Sequence, residues 1–258
     1  MSNDVTVILN GFKRPQHFNR QLDAILNQTI SPKPNNIMLW QNGKEQFPNS
    51  SNFITKAECN QNLGVWARFA FALNAKTEWV CIFDDDTMPG NRWFENCLNT
   101  MKTHEGLLGT VGIRIHGETG MYPLKRYGWA DINNSKPMEV DYVGHSWFFR
   151  REWLSYFWRE MPSIEHDMLV GEDMHFSIML KKYGGISTFV PPHPKEDRSL
   201  WGSQPETAWT IGTDDAAISI KPENLNRMSL YAEYAKSQGF VPLRHREGFI
   251  EDENPFKY

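Results

Sequence analysis

The run Trp79-Val80-Cys81-Ile82-Phe83 leads straight into Asp84, Asp85 and Asp86, and the chain then turns at Pro89-Gly90. An apolar run of this length reads as a buried strand, and a buried strand needs a layer on each face. Its end is equally constrained. Adjacent carboxylates repel by about 1 kcal/mol per pair in water and severalfold more in a shielded cleft. The three acids must therefore lie at a sheet edge, either solvated or facing a cation.

The segments before this strand alternate in period. Val5 to Leu9 is a β-branched run that predicts a first buried strand. Pro15 suits a first helical position, and Phe18, Leu22, Ile25 and Leu26 follow at helical spacing, predicting an amphipathic helix to about Gln28. Ile37 to Trp40 predicts a second strand closed by a turn at Gln41-Asn42-Gly43, and Phe53-Ile54-Thr55 a weaker third. A helix after Asn62-Leu63-Gly64 would carry Val65, Phe69, Ala72 and Leu73 on one face. This order predicts an α/β fold with a mixed, mostly parallel sheet flanked by helices. Ligands in such sheets bind beyond the carboxyl ends of the strands, where Asn10, Asn42 and Asp84 to Asp86 all fall.

The second half is less regular. Leu108 to Ile115 predicts another strand, Tyr142 to Phe149 is apolar, and Gly171 precedes a helix to about Tyr183 with Glu172 and Asp173 in its first turn. Residues 185–220 read as loop-rich. A last helix is expected from Pro222 to Gln238, ended by Gly239. With no repeat or linker, the 258 residues read as one domain, 1–115 forming one half and 116–258 the other.

A formal charge of −4 argues against nucleic acid as a partner. Cys59, Cys81 and Cys97 lack metal-site spacing and predict reduced thiols. No apolar run approaches the ~20 residues that span a bilayer, and the opening MSNDVTVILN has no signal-peptide pattern. The expectation is a soluble, cytoplasmic protein.

Several ordered stretches resemble the GT-A-fold glycosyltransferases, in particular the exostosin-type (family 64) and family-two members. They are NGFKRPQHFNRQLDAILNQT, IMLWQNG, ARFAFALNAKTEWVCIFDDDT, TVGIR, YVGHSWFFRREWLSYFW and GEDMHF, followed by Arg227 ahead of Gly239 and Pro242-Leu243. The resemblance implies a transferase that moves a sugar from a nucleotide-sugar, a UDP-sugar, to a hydroxyl of a glycan or glycoconjugate. It implies bound Mn2+ or Mg2+, and its exostosin side favours retention of configuration over inversion. Exostosin-type enzymes sit behind a membrane anchor and carry lumenal cysteines, features not seen here, so their acceptor is not carried over.

By the same resemblance Asp86 is the direct metal ligand and Asp85 contacts the ribose. Asp84 shapes the motif or reaches a metal-bound water. Arg68 and Arg227 are donor contacts, since guanidinium forks match phosphate oxygens. Asn10, Arg14 and Asn42 would line the nucleoside pocket. Asp173, with Glu172, lies beside the reacting carbon, acting as general base in an inverting enzyme or stabilising ring charge in a retaining one. His145 and Trp147 fall where acceptor or donor sugar is cradled. His193 is a candidate further metal ligand, and Arg198 a comparable outlying candidate.

Three other readings compete. A haloacid-dehalogenase-type phosphatase also uses D-x-D, but on its first strand. A nucleotidyltransferase would need a Gly-rich phosphate loop where NGFKRP stands. A non-catalytic carbohydrate-binding protein on the same fold predicts disabled sites, whereas Asp86 and Asp173 are intact.

Overall fold

The computed structural model describes residues 4–30, 32–47, 55–129, 132–161 and 170–251. Its first half holds β1 (Val5–Gly11), α1 (Phe18–Leu26), β2 (Ile37–Asn42), β3 (Thr55–Cys59), α2 (Ala67–Phe71), β4 (Trp79–Phe83) and α3 (Trp93–Thr103). There follow β5 (Gly106–Ile115), β6 (Leu124–Tyr127), β7 (Met138–Val140), β8 (Tyr142–Arg150), α4 (Leu154–Phe157), α5 (Glu172–Gly184), β9 (Ser187–Val190), α6 (Pro205–Thr210) and α7 (Pro222–Ser237).

All nine strands join one sheet in the order β3-β2-β1-β4-β8-β5-β9-β7, with β6 paired to β5. β1 to β4 are mutually parallel, β8 opposes β4 and β5, and β9 runs with β5. Six strands thus share one direction, while β6, β7 and β8 oppose them. The sheet is mixed and mostly parallel, as the sequence predicts.

Alternation across β4 and β8 builds two apolar layers. Trp147, paired with Ile82, and Phe149, paired with Val80, face one side. There Trp147 meets Phe69 of α2, and Phe149 meets Phe176 of α5. Cys81, Phe83, Trp79 and Phe148 face the other side, where Phe148 stacks on Trp79 and Phe83 meets Phe94 of α3.

The structure corrects several boundaries. β2 continues to Asn42, because Gln41 still pairs with Gly11 and Asn42 with Cys59. The third strand begins at Thr55 and runs on through polar residues at the sheet edge; Phe53 and Ile54 lie outside the described residues. The first helix opens as a 3-10 turn over Pro15–His17. The second is shorter than expected, and Leu73 is 54% exposed instead of buried. The span 185–220, expected as loop, contains β9 and α6.

Candidate active site

β1 and β4 run in register, Leu9 beside Phe83, so half-buried Asn10 ends level with Asp84. The turn that follows β4 is fixed from two sides. From α1, the Gln21 side-chain amide donates to the Asp84 and Thr87 carbonyls at 2.6 and 2.9 Å. From β8, the His145 carbonyl accepts from the Asp84 N–H at 3.0 Å and from the Thr87 hydroxyl at 3.1 Å. The acids are held in place by these bonds.

Two buried arginines divide the acids between them. Arg14 donates to Asp85 at 2.5 Å and to Asp86 at 3.2 Å. Its other edge forms a fork with Asp214, at 2.9 and 2.6 Å. Arg68 bridges Asp84 and Glu172, the latter at 2.6 Å. Its guanidinium lies 4.3 Å from the Trp147 ring centroid, within cation–π range. The carboxylates raise the pKa of both arginines despite the opposing effect of burial, so both stay charged.

Six carboxyl groups, on Asp84, Asp85, Asp86, Glu172, Asp173 and Asp214, gather around these two guanidinium groups. Burial registers most strongly in the acids, and neighbouring carboxylates add to it. Burial, then neighbouring carboxylates, raises Asp85 against the pull of Arg14. Burial also raises Glu172, and burial with Glu172 beside it raises Asp173 well above the carboxylate range.

Glu172 and Asp173 open α5, where a helix N-terminus favours carboxylates. Gly171 sets that start with φ of 92°, and a Cβ there would lie 2.7 Å from the Tyr231 ring. Tyr231, on α7, bonds His175 of α5 at 3.0 Å. Arg227 stands one turn before Tyr231 and donates to Asn224 at 3.0 Å. On the sheet side, a Cβ on Gly144 would lie 3.9 Å from Asp173 Oδ2, so nothing larger than hydrogen screens Asp173 from β8 at that position.

The remaining expected residues fall as follows. Asn42 is buried and engaged with the loop that enters α2: its amide donates to Asn62 and Gly64, and its carbonyl accepts from the Leu63 N–H. Trp147, expected at the acceptor, is 1% exposed and supports Arg68 from below. His193, expected beside the metal, is buried, stacks on Trp201 at 4.0 Å and pairs through its backbone with Asn134. Arg198 pairs with Glu206 on the surface. Asp214 was not expected in the site; its segment GTDDAA loosely resembles only the later acidic motif of the phosphatase reading, and it is folding that brings it to Arg14.

His145 has φ of 65°, the only positive value at a non-glycine among the described residues. Such a conformation costs on the order of 1–3 kcal/mol and persists where the surroundings impose it.

Residues 44–158 match the model of glycosyl transferase family 2. No curated protein matches the chain. The matched segment contains the acidic turn, Arg68, His145 and Trp147. Together with the nine-stranded sheet, the match supports a glycosyltransferase of GT-A type, with sugar transfer as its chemistry and a nucleotide-sugar and an acceptor as its partners. No helix among the described residues is long and apolar enough to cross a membrane.

GT-A glycosyltransferases commonly use divalent ions. Among the described residues no three His, Cys, Asp or Glu side chains are arranged to hold a metal, and the arginines occupy one oxygen of each carboxylate of the turn. Asp86 Oδ1 is not among these: its nearby polar groups are the Thr87 hydroxyl at 3.3 Å and His145 Nδ1 at 3.9 Å. A Mg2+-like ion takes one or two protein carboxylates and completes its shell from water and substrate phosphate, and this oxygen-donor set fits that pattern.

Proposed function

We propose that the protein is a divalent-metal-dependent glycosyltransferase that moves a sugar from a UDP-sugar to a hydroxyl of a glycan or glycoconjugate. One observation carries the reading: the acidic turn in the family-matched segment belongs to a cleft with more carboxyl groups than its two arginines neutralise. A divalent ion held by Asp86 would act as a Lewis acid on the leaving diphosphate. Arg227 would orient donor phosphates, Arg68 would hold Asp84 and Glu172 in place beside them, and Asn10, Arg14 and Asp85 would orient the nucleoside. Asp173, beside the open face at Gly144, stands where a carboxylate could take the acceptor proton or stabilise charge on the sugar ring. Retention rests on the sequence resemblance to exostosin-type enzymes alone; the family model that matches is that of family 2. Three unpaired cysteines support a reducing compartment such as the cytoplasm.

Two variants test the division of labour. Asp86→Ala should abolish metal-dependent UDP binding in calorimetry. Asp173→Asn should bind the donor as before while turnover falls by about 100-fold or more. Unchanged turnover in either variant contradicts the role given to that residue.

A further inference from the structure

The donor reading leaves His145 without a task that explains its conformation. Along β8 the pairing with β5 slips: Gly109 faces Trp147, but Val111 faces Gly144. Ser146 and His145 therefore stand together opposite Thr110, two residues against one, which is a β-bulge. Bulges beside active sites re-aim a side chain. Here the bulge combines with φ of 65° to bring His145 Nδ1 to 3.9 Å from Asp86 Oδ1. Trp129 packs against the ring at 5.0 Å, and the imidazole remains partly exposed.

We propose that the His145 imidazole is a protein ligand, alongside Asp86, of the divalent ion at the end of β4, and that it gives the site a preference for Mn2+ over Mg2+. This rests on the metal-dependent reading above. The distance between the two donor atoms is shorter than two metal–ligand bonds of about 2.1 Å laid end to end, so one ion can reach both. The chemical consequence follows from the nitrogen. Carboxylate and water serve Mg2+ and Mn2+ alike, whereas imidazole suits first-row transition ions and adds little for Mg2+. By resemblance His145 falls where acceptor or donor sugar is cradled; its position 3.9 Å from Asp86 favours the metal instead.

The test is metal binding, measured without turnover. His145→Gly suits the left-handed backbone and removes the ring, so it should fold at least as stably as the parent. His145→Asn tolerates the same conformation and leaves a shorter polar group. Mn2+ and Mg2+ are titrated in the presence of UDP, by calorimetry and, for Mn2+, by electron paramagnetic resonance. His145→Gly should weaken Mn2+ binding about tenfold or more while Mg2+ binding changes by less than about twofold. The two affinities should converge, with His145→Asn intermediate. Equal weakening of both ions, or of neither, overturns the assignment. Asp86→Asn separates the two levels. If it loses both ions while His145→Gly spares both, only this inference fails; if the parent protein binds neither ion with UDP, the metal-dependent reading fails with it.

Discussion

Arg68 illustrates how much a single side chain carries here. It is 2% exposed, and its two nitrogens hold Asp84 and Glu172 on different elements. Removing one partner of a buried ion pair leaves an uncompensated charge, so Arg68→Ala should lose about 3–5 kcal/mol in denaturant unfolding. A loss under 1 kcal/mol would mean that water reaches those carboxylates. Asp173 gives a second prediction. Burial and Glu172 raise its pKa well above the carboxylate range. Its proposed role needs the ionised form, so activity should rise with pH through that raised value. The acid limb of kcat/KM should therefore lie above the ordinary carboxylate range of about 4, and an acid limb near 4 would argue against Asp173. The acids of the turn were legible in the sequence because their spacing carries chemistry. Asp214 was not, because an acid pair in a loop has no link to the site until the fold brings Asp214 to Arg14. Trp147 fell where a sugar platform was expected, but alternation along β8 turns it into the core.

Among elements, Asp141 ties the end of β5 to the C-terminal segment. Its carboxylate accepts from the Ile115 and Leu243 N–H groups, both at 2.7 Å. Asp141→Ala would leave two buried amides without a partner, at about 1–3 kcal/mol each. Burial raises its pKa to about 6 despite those bonds. A carboxyl whose folded pKa is raised contributes stability that is full below its unfolded pKa, near 4, and lost as pH rises through 6. Compared with Asp141→Asn, the native protein should lose stability on the order of 3 kcal/mol between those pH values; a pH-independent difference would contradict the assignment. Among the elements read correctly from sequence, β1 and β4 stood out as apolar runs, while α5 and α7 were marked by their ends, Gly171 before one and Pro222 and Gly239 around the other. β3 was read only as a weaker strand over Phe53-Ile54-Thr55, because an edge strand needs no apolar face and TKAEC has almost none. α3 was missed although Trp93, Phe94, Cys97, Leu98 and Met101 are all buried at helical spacing.

At the scale of the whole molecule, one sheet delivers its functional groups to one edge, and Arg14 joins that edge to a loop 200 residues further along. Because the Asp214 side chain is 37% exposed, the bond should matter more to the loop than to global stability. Asp214→Ala should speed amide exchange across residues 211–218 while changing global stability by less than about 1 kcal/mol; unaltered exchange there would show that other contacts hold the loop. The central claim is that the acidic edge holds a divalent ion and a nucleotide-sugar together. The measurement closest to it is hydrolysis of a panel of nucleotide-sugars by the purified protein, with Mn2+ and then with excess chelator. The account predicts slow release of nucleoside diphosphate from a UDP-sugar, abolished by chelator and restored by Mn2+. Donor cleavage that continues unchanged in chelator, or a panel in which no nucleotide-sugar is cleaved, would contradict it.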